Sequence, residues 1–258
     1  MSPPGSGSGP GRASAGEDRR PSGALFLSEY FADLDEGAGF LQRLSPTERA
    51  RLTARGTRLA LDRGQGLFFQ GDPHRGVWVI EEGRIRTFYV GHTGREMTLA
   101  YWTAGHFVGG PEVFGSGRHV WSADAAEDTA LLFLPGAVLR ALALEMPQVA
   151  LAIIDGLVAK GKCYSALVQM LGTRSIAERL ELLLRAMADS RGQPTAEGVV
   201  IDRSVTHEQF AMMVGATRQW VSVSLDRMSR DGLIRITRSQ IVLLPPILAP
   251  RDSPAPDR

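Results

Sequence analysis

Arg218 and Gln219 follow a threonine, Thr217, where an apolar period of helical type begins, and Ser222 lies one turn further on. Arginine can hold guanine, and glutamine adenine, through paired hydrogen bonds. Hydroxyl and guanidinium groups serve equally well for phosphate oxygens. That chemistry requires the side chains to stand at the exposed start of a helix that can enter the major groove of a duplex. The residues upstream supply a frame for it. Thr206-His207-Glu208-Gln209 has the form of a capping box opening a short helix. Ala211, Gly215 and Val221 then have the spacing of a helix-turn-helix: a small residue where the second helix crosses, a glycine free to turn left-handed, and a valine to pack the two helices together. The spacing predicts a second helix over residues 217–230, with Arg218, Gln219 and Ser222 outward, Val221 and Leu225 inward, and Asp231-Gly232 as its stop.

Beyond that helix, Leu233-Ile234-Arg235-Ile236 and Ile241-Val242-Leu243-Leu244 flank Thr237-Arg238-Ser239-Gln240, which reads as a two-stranded wing. Arg218 and Gln219 are the candidate base readers. Thr217, Ser222, Arg235 and Arg238 are candidate phosphate ligands, and Thr206 joins them as a DNA-binding residue. Residues 201–244 hold six arginines (Arg203, Arg218, Arg227, Arg230, Arg235, Arg238) against four acids (Asp202, Glu208, Asp226, Asp231), a local balance of +2 where the whole chain has only +1. Any positive field is therefore local. The plainer alternative is a helical hairpin and a β-hairpin that only stabilise a neighbouring domain.

A reading element needs a support that holds it at a fixed spacing. From Pro147 a long helix carries Ala150, Ile154, Leu157, Gly161, Tyr164, Val168 and Leu171 at alternating steps of four and three. This is the seam of a helix pairing with its own copy, that is, a homodimer; the alternative is a helix packed on its own barrel. Gly172 is the expected interruption, and an amphipathic helix over residues 176–188 follows, ended by Arg191-Gly192-Gln193-Pro194. Residues 57–134 have a different texture. Short runs rich in Val, Ile, Phe, Tyr and Trp alternate with turn signals such as Glu82-Gly83 and His92-Thr93-Gly94, which suggests a small all-β barrel or sandwich with Gly83 and Gly94 at hairpin tips. Ser45-Pro46-Thr47-Glu48 is a helix start, and residues 138–145 read as a short helix.

Residues 1–22 and 245–258 are rich in Gly, Ser and Pro and are expected to be disordered tails, with order beginning near Leu25. The intervening divisions are a β-domain with its leading helix (23–135), a linker and dimerisation helix (136–172) and a winged helix-turn-helix (173–244). No apolar stretch reaches the length of a membrane span, and the start of the chain lacks the apolar core of a signal peptide, so a cytoplasmic protein without a membrane partner is expected. The single cysteine, Cys163, excludes an intramolecular disulfide and a cysteine-held iron–sulfur cluster. No nucleophile–base pair is visible, and His92, His106 and His119 lack the spacing of a metal-binding cupin-like enzyme. The chain is expected to be no enzyme and to hold no metal. A β-barrel that senses a ligand and regulates a protein partner remains as an alternative.

The order of parts, α+β with a β-roll, a long helix and a winged helix-turn-helix, resembles the cyclic-AMP receptor protein/fumarate-nitrate regulator (CRP/FNR) family over residues 44–244. Leu67-Phe68-Phe69-Gln70-Gly71-Asp72, Val79-Ile80-Glu81-Glu82-Gly83-Arg84-Ile85, Gly94-Arg95-Glu96-Met97-Thr98-Leu99-Ala100-Tyr101, Gly105-His106-Phe107-Val108-Gly109 and Gly215-Ala216-Thr217-Arg218-Gln219-Trp220-Val221 carry the likeness. It implies a jelly-roll barrel of the cyclic-nucleotide-binding type and a transcription regulator acting on a two-fold symmetric duplex site, with RNA polymerase as a further partner. It also implies an effector pocket bordered by the long helix, at Gly109, Gly110, Arg118, Trp121, Ser122 and Lys160. Nucleotide-binding members have Gly-Glu, Arg-Ser and Thr-Ser where this chain has Gly109-Gly110, Trp121-Ser122 and Lys160-Gly161. Cyclic AMP is therefore not the expected effector, since a buried phosphate without a cationic partner is costly. The family's haem-binding branch would need histidine ligands, and His74, His92, His106 and His119 fall in turns or at strand ends, where a surface position is expected. Trp102 and Trp121 are candidates to line an apolar pocket. Trp220 and Val223 replace the threonine and arginine of cyclic-AMP-type readers, which implies a different target sequence.

Overall fold

The structure is a computed structural model and describes residues 39–202 and 205–249, without the side chains of residues 190 and 191. The expected tail at 1–22, the start of order near Leu25, residues 250–258 and Arg203 lie outside the described residues. A 3-10 turn at Leu41–Arg43 leads into α1 (Pro46–Ala54). The helix opens with the expected box: Ser45 Oγ accepts from the Glu48 amide at 3.3 Å, and the Glu48 carboxylate accepts from the Ser45 amide at 2.9 Å.

Eight strands follow: β1 (Thr57–Leu61), β2 (Gly66–Phe68), β3 (Gly76–Glu82), β4 (Arg84–Val90), β5 (Glu96–Thr103), β6 (Phe107–Val108), β7 (Ser122–Ala125) and β8 (Thr129–Pro135). They form two antiparallel four-stranded sheets, ordered β1-β8-β3-β6 and β2-β7-β4-β5. Burial alternates with period two along β5, where Thr98, Ala100 and Trp102 face inward, as a half-buried strand requires. Gly83 and Gly94 have the positive φ expected at the hairpin tips, 85° and 78°.

α2 (Gly136–Glu145) closes the roll, and α3 (Pro147–Thr173) runs along it. α3 carries two apolar stripes. Val149, Ile153, Gly156, Lys160, Cys163, Leu167 and Met170 are buried, at the three- and four-residue steps of one helix face. Leu151, Ile154, Val158 and Val168 stand out from the opposite side, each more than half exposed. Burial divides the residues of the expected seam between these two sides. Ile154, Gly161 and Val168 lie on the exposed line, but Leu157, Tyr164 and Leu171 are half-buried and pack against the roll's clusters. The outward line runs instead through Leu151, Ile154, Val158, Gly161, Ser165 and Val168. The interruption also shifts: α3 continues through Gly172 to Thr173, and the break falls at Arg174 and Ser175, which are both extended. Ser175 then caps α4 (Ile176–Arg191) in a box with Glu178.

The C-terminal domain holds β9 (Gln193–Thr195), β10 (Gly198–Asp202), α5 (His207–Val214), α6 (Arg218–Arg230), β11 (Ile234–Ile236) and β12 (Gln240–Leu243). The wing strands β11 and β12 pair as expected, with Ile234 opposite Leu243. They extend into a four-stranded sheet ordered β11-β12-β10-β9, whose last two strands were not foreseen. One expected tail is also corrected. Pro245–Leu248 forms a short helix, α7, whose Ile247 is 1% exposed within the cluster around Leu184, Phe210 and Leu243. The prolines suit a first helical turn, and one isoleucine reaching an apolar floor outweighs the composition around it. Ile247→Val should therefore lower the denaturant midpoint by the equivalent of about 1 kcal/mol. No change on equilibrium unfolding would mean that the segment is not packed.

Candidate functional site

The reading helix is built as its residue types require. Thr206 Oγ1 accepts from the Gln209 amide at 3.2 Å and Gln209 Oε1 accepts from the Thr206 amide at 2.8 Å. α5 ends at Gly215, in the left-handed conformation at φ 66°, ψ 34°. A Cβ there would stand 3.2 Å from Leu171 Cδ2 and 3.3 Å from Arg179 Nη1, so both conformation and crowding call for glycine. Thr217 Oγ1 then caps α6 by accepting from the Trp220 amide at 3.3 Å. Val221, Leu225 and Met228 are buried beneath α6, against Phe210, Ala211 and Val214.

This packing turns Thr217, Arg218, Gln219, Trp220 and Val223 to the exterior. Among the described residues neither the Arg218 guanidinium nor the Gln219 amide has a partner, so both heads are available to a ligand. Thr206 and Thr217 accept from their helices and still have a hydroxyl proton to donate, at helix N-termini that favour anions. The remaining candidates are placed differently. Ser222 is half-buried: its hydroxyl lies 2.8 Å from His207 Nδ1 and donates to the Arg218 carbonyl at 3.1 Å. It braces the first turn of α6. Arg235 pairs with Glu197, a residue that sequence reasoning passed over because it comes from the unforeseen β9–β10 turn. Both ends of that pair are exposed, and such pairs are weak. Arg238 is exposed at the wing tip.

In the roll, Lys160 projects from α3 and is only 7% exposed. Its Nζ lies 3.6 Å from the centre of the Trp102 ring and 4.8 Å from that of Phe107. It has no carboxylate partner among the described residues. Burial brings its pKa down to about 7, and the aromatic faces give partial compensation. Trp102 is itself held by its indole N–H donating to Thr87 Oγ1 at 3.2 Å. Tyr164 packs between Trp102 and Trp121, at ring separations of 6.4 and 5.5 Å. Lys160, Trp102 and Trp121 therefore border one aromatic region. Arg118 does not join them: it is exposed, and its Nη1 donates to the Gly71 carbonyl at 2.6 Å. Ser122 is buried and its Oγ accepts from the Gln70 amide at 3.0 Å.

Gly109 and Gly110 have φ 148° and 113°, so a glutamate in the second position would be strained as well as absent. They lie beside His74 and His119, where surface histidines were expected. The structure corrects this: His74 and His119 are 6% and 3% exposed, with ring centres 4.4 Å apart. The cause is the pairing of their two loops. The Gly71 amide donates to the His119 carbonyl, the His119 amide to Asp72 and the His74 amide to Gly117, at 2.8, 2.9 and 3.1 Å. Burial lowers the pKa of both imidazoles, that of His119 to about 4. His106 is half-buried and is likewise brought to about 4, by burial and then by Lys160. His92 is exposed as expected. A cleft of about 480 Å³ between roll and C-terminal domain, with Arg84 and Arg86 on one side and Met187, Met212 and Met213 on the other, had no signal in the sequence.

The fold and these surfaces define a class: a nucleotide-binding-type β-roll joined by a long helix to a winged helix-turn-helix. Comparison with known proteins agrees. Residues 58–145 match the cyclic nucleotide-binding domain and residues 178–246 the Crp-like helix-turn-helix domain. The global nitrogen regulator of Synechococcus elongatus is 25% identical over 188 residues, which is 72% of this chain and 85% of that protein. The cyclic AMP receptor protein of Thermus thermophilus is 26% identical over 208 residues, 78% of this chain and 90% of that protein. In fold the chain is similar to the c-di-GMP-responsive global regulator CLP of Xanthomonas campestris, with a TM-score of 0.71 at 19% identity, covering 78% of this chain and 99% of that one. The chain belongs to the CRP/FNR family of transcription regulators.

Proposed function

We propose that the protein is a homodimeric, sequence-specific regulator of transcription acting in the cytoplasm, controlled by a small effector in the roll that is not cyclic AMP. The observation that carries the DNA-reading part is the exposed pair Arg218 and Gln219, unpartnered among the described residues, on the first turn of a capped helix. Two such helices, related by a two-fold axis, enter successive major grooves of a symmetric site with half-sites about 34 Å apart. Thr206, Thr217, Arg235 and Arg238 hold phosphates and set the register, and RNA polymerase is the partner of the bound dimer. The effector part is supported by Lys160, a buried amine facing aromatic rings instead of a carboxylate, and by the Gly109-Gly110 segment, whose positive φ suits glycine and which has no carboxylate for a ribose hydroxyl.

Selection of bound duplexes from a random pool, with and without cell extract, tests the proposal. Enrichment of a two-fold symmetric site that depends on a small molecule in the extract is the expected result, and no enrichment would overturn it. On the selected site, Arg218→Ala should cost about 1–3 kcal/mol of discrimination at one base position in each half-site. Uniform weakening on all sequences would assign Arg218 to the backbone instead.

A further inference from the structure

The outward face of α6 has a feature that hydrogen-bonding readers do not account for. Trp220 and Val223 are 55% and 51% exposed. They lie three residues apart, so they share a face. At about 100° per residue, Val223 stands almost opposite the buried stripe of Val221, Leu225 and Met228. Gln219 is one turn before it and Arg227 one turn after. The middle of the outward face is therefore apolar at Val223, with polar and charged groups of both signs around it, Gln219, Asp226 and Arg227 among them. The Trp220 indole N–H has no partner among the described residues, and its ring is the neighbour of Val223 on one side.

We infer that Val223 reads the 5-methyl group of a thymine in the major groove, with the Trp220 ring as the wall that excludes water from that contact. The inference rests on the proposal that α6 enters the groove. The remaining base edges there present donors and acceptors, and a valine set against one of them would leave it unpaired and desolvated. The thymine methyl is the apolar patch that the groove offers, so an apolar residue in the middle of the outward face selects it by exclusion as well as by contact. Arg227 fits the same partner: its exposed ion pair with Asp231, at 3.6 Å, is of the weak kind, which leaves the guanidinium able to turn to a backbone phosphate one turn beyond Val223.

Deoxyuridine in place of thymidine removes the methyl and nothing else, which makes it a direct test. The full-length protein is titrated against its selected duplex and against duplexes in which each symmetric pair of thymidines is replaced by deoxyuridine. Loss of one buried methyl corresponds to about a fourfold weakening, so about fifteenfold is expected when both half-sites are changed together at the position read. In Val223→Ser the ratio between the two duplexes should fall below about twofold, and Trp220→Ala should reduce it in part. Both side chains are exposed, so the variants should fold, and a thermal melt verifies it. Deoxyuridine changing affinity by less than about 1.5-fold at every position would overturn the inference, and so would an undiminished ratio in Val223→Ser. Either result would leave DNA binding itself intact. Failure to enrich any duplex would overturn both.

Discussion

Lys160→Met should make the protein more stable at pH 6 by about 2–3 kcal/mol, a gain that fades to nothing near pH 10.5. The folded protein holds the Lys160 amine against Trp102 and Phe107 with a pKa of about 7, down from 10.5, chiefly because burial disfavours the charge. A shift of that size corresponds to about 4–5 kcal/mol, and attraction to the two aromatic faces offsets about 2 kcal/mol of such a cost. The sign follows from proton counting. Between pH 7 and 10.5 the unfolded chain keeps its lysine proton while the folded chain has lost it, so stability climbs with pH across this window. Below pH 7 both states are charged and the burial cost is present in full. Methionine keeps the length and apolar stem without the charge. His106, lowered by burial from 6.5 to about 4, and Cys163 and Tyr164, raised by burial from 9.0 and 10.0, add their own pH dependence to both proteins, so the difference between the two proteins is what reports Lys160. Denaturant titrations of both proteins at pH 6, 8 and 10 check it. A difference between them that did not vary with pH would show that Lys160 is not the group whose ionisation is suppressed.

The parts legible from sequence are those whose causes are local. Ser45 with Glu48, Thr206 with Gln209, and Gly215 announce helix ends because the atoms involved lie within a few residues of one another. The roll was legible as a texture, since alternation and turn signals repeat along its strands. What failed depends on distant partners. β9 and β10 are three and five residues long and exist because Val199 to Asp202 pair with β12. Turn residues announced the loops of His74 and His119, but nothing local says that the loops pair with each other and bury both rings. Ile247 belongs to a segment of tail-like composition, yet Leu184, Phe210 and Leu243 form an apolar floor for it. At the candidate interface Arg218 and Gln219 were legible from the cap and the helical period. The internal bonds of Ser222 and the pairing of Arg235 with Glu197 needed coordinates.

The phase of the α3 seam matters most, because the second prediction turns on it. Ile154→Glu combined with Val158→Glu should weaken self-association by at least about a thousandfold and convert the protein to a monomer at micromolar concentration. Both side chains are more than half exposed in the single chain, so their replacement costs the isolated fold little. In a two-fold interface each substitution appears twice. Four apolar side chains are lost, each contributing about 1.5–3 kcal/mol when fully buried, and four carboxylates are forced together. Gly161 and Ser165 on the same line allow the two helices to approach closely. Leu171→Ala provides the contrast: that residue packs on the roll cluster, so the variant should lose folding stability and keep its association. Sedimentation velocity separates the two cases, and duplex titration follows the consequence, since a monomer engages each half-site independently and loses the gain from holding both at once. A double-glutamate variant that remained dimeric would place the dimer contact elsewhere. The readers would then be spaced by some other element, because α3 is the helix that runs from the roll to the foot of the DNA-binding domain and presents an apolar line that none of the described residues covers.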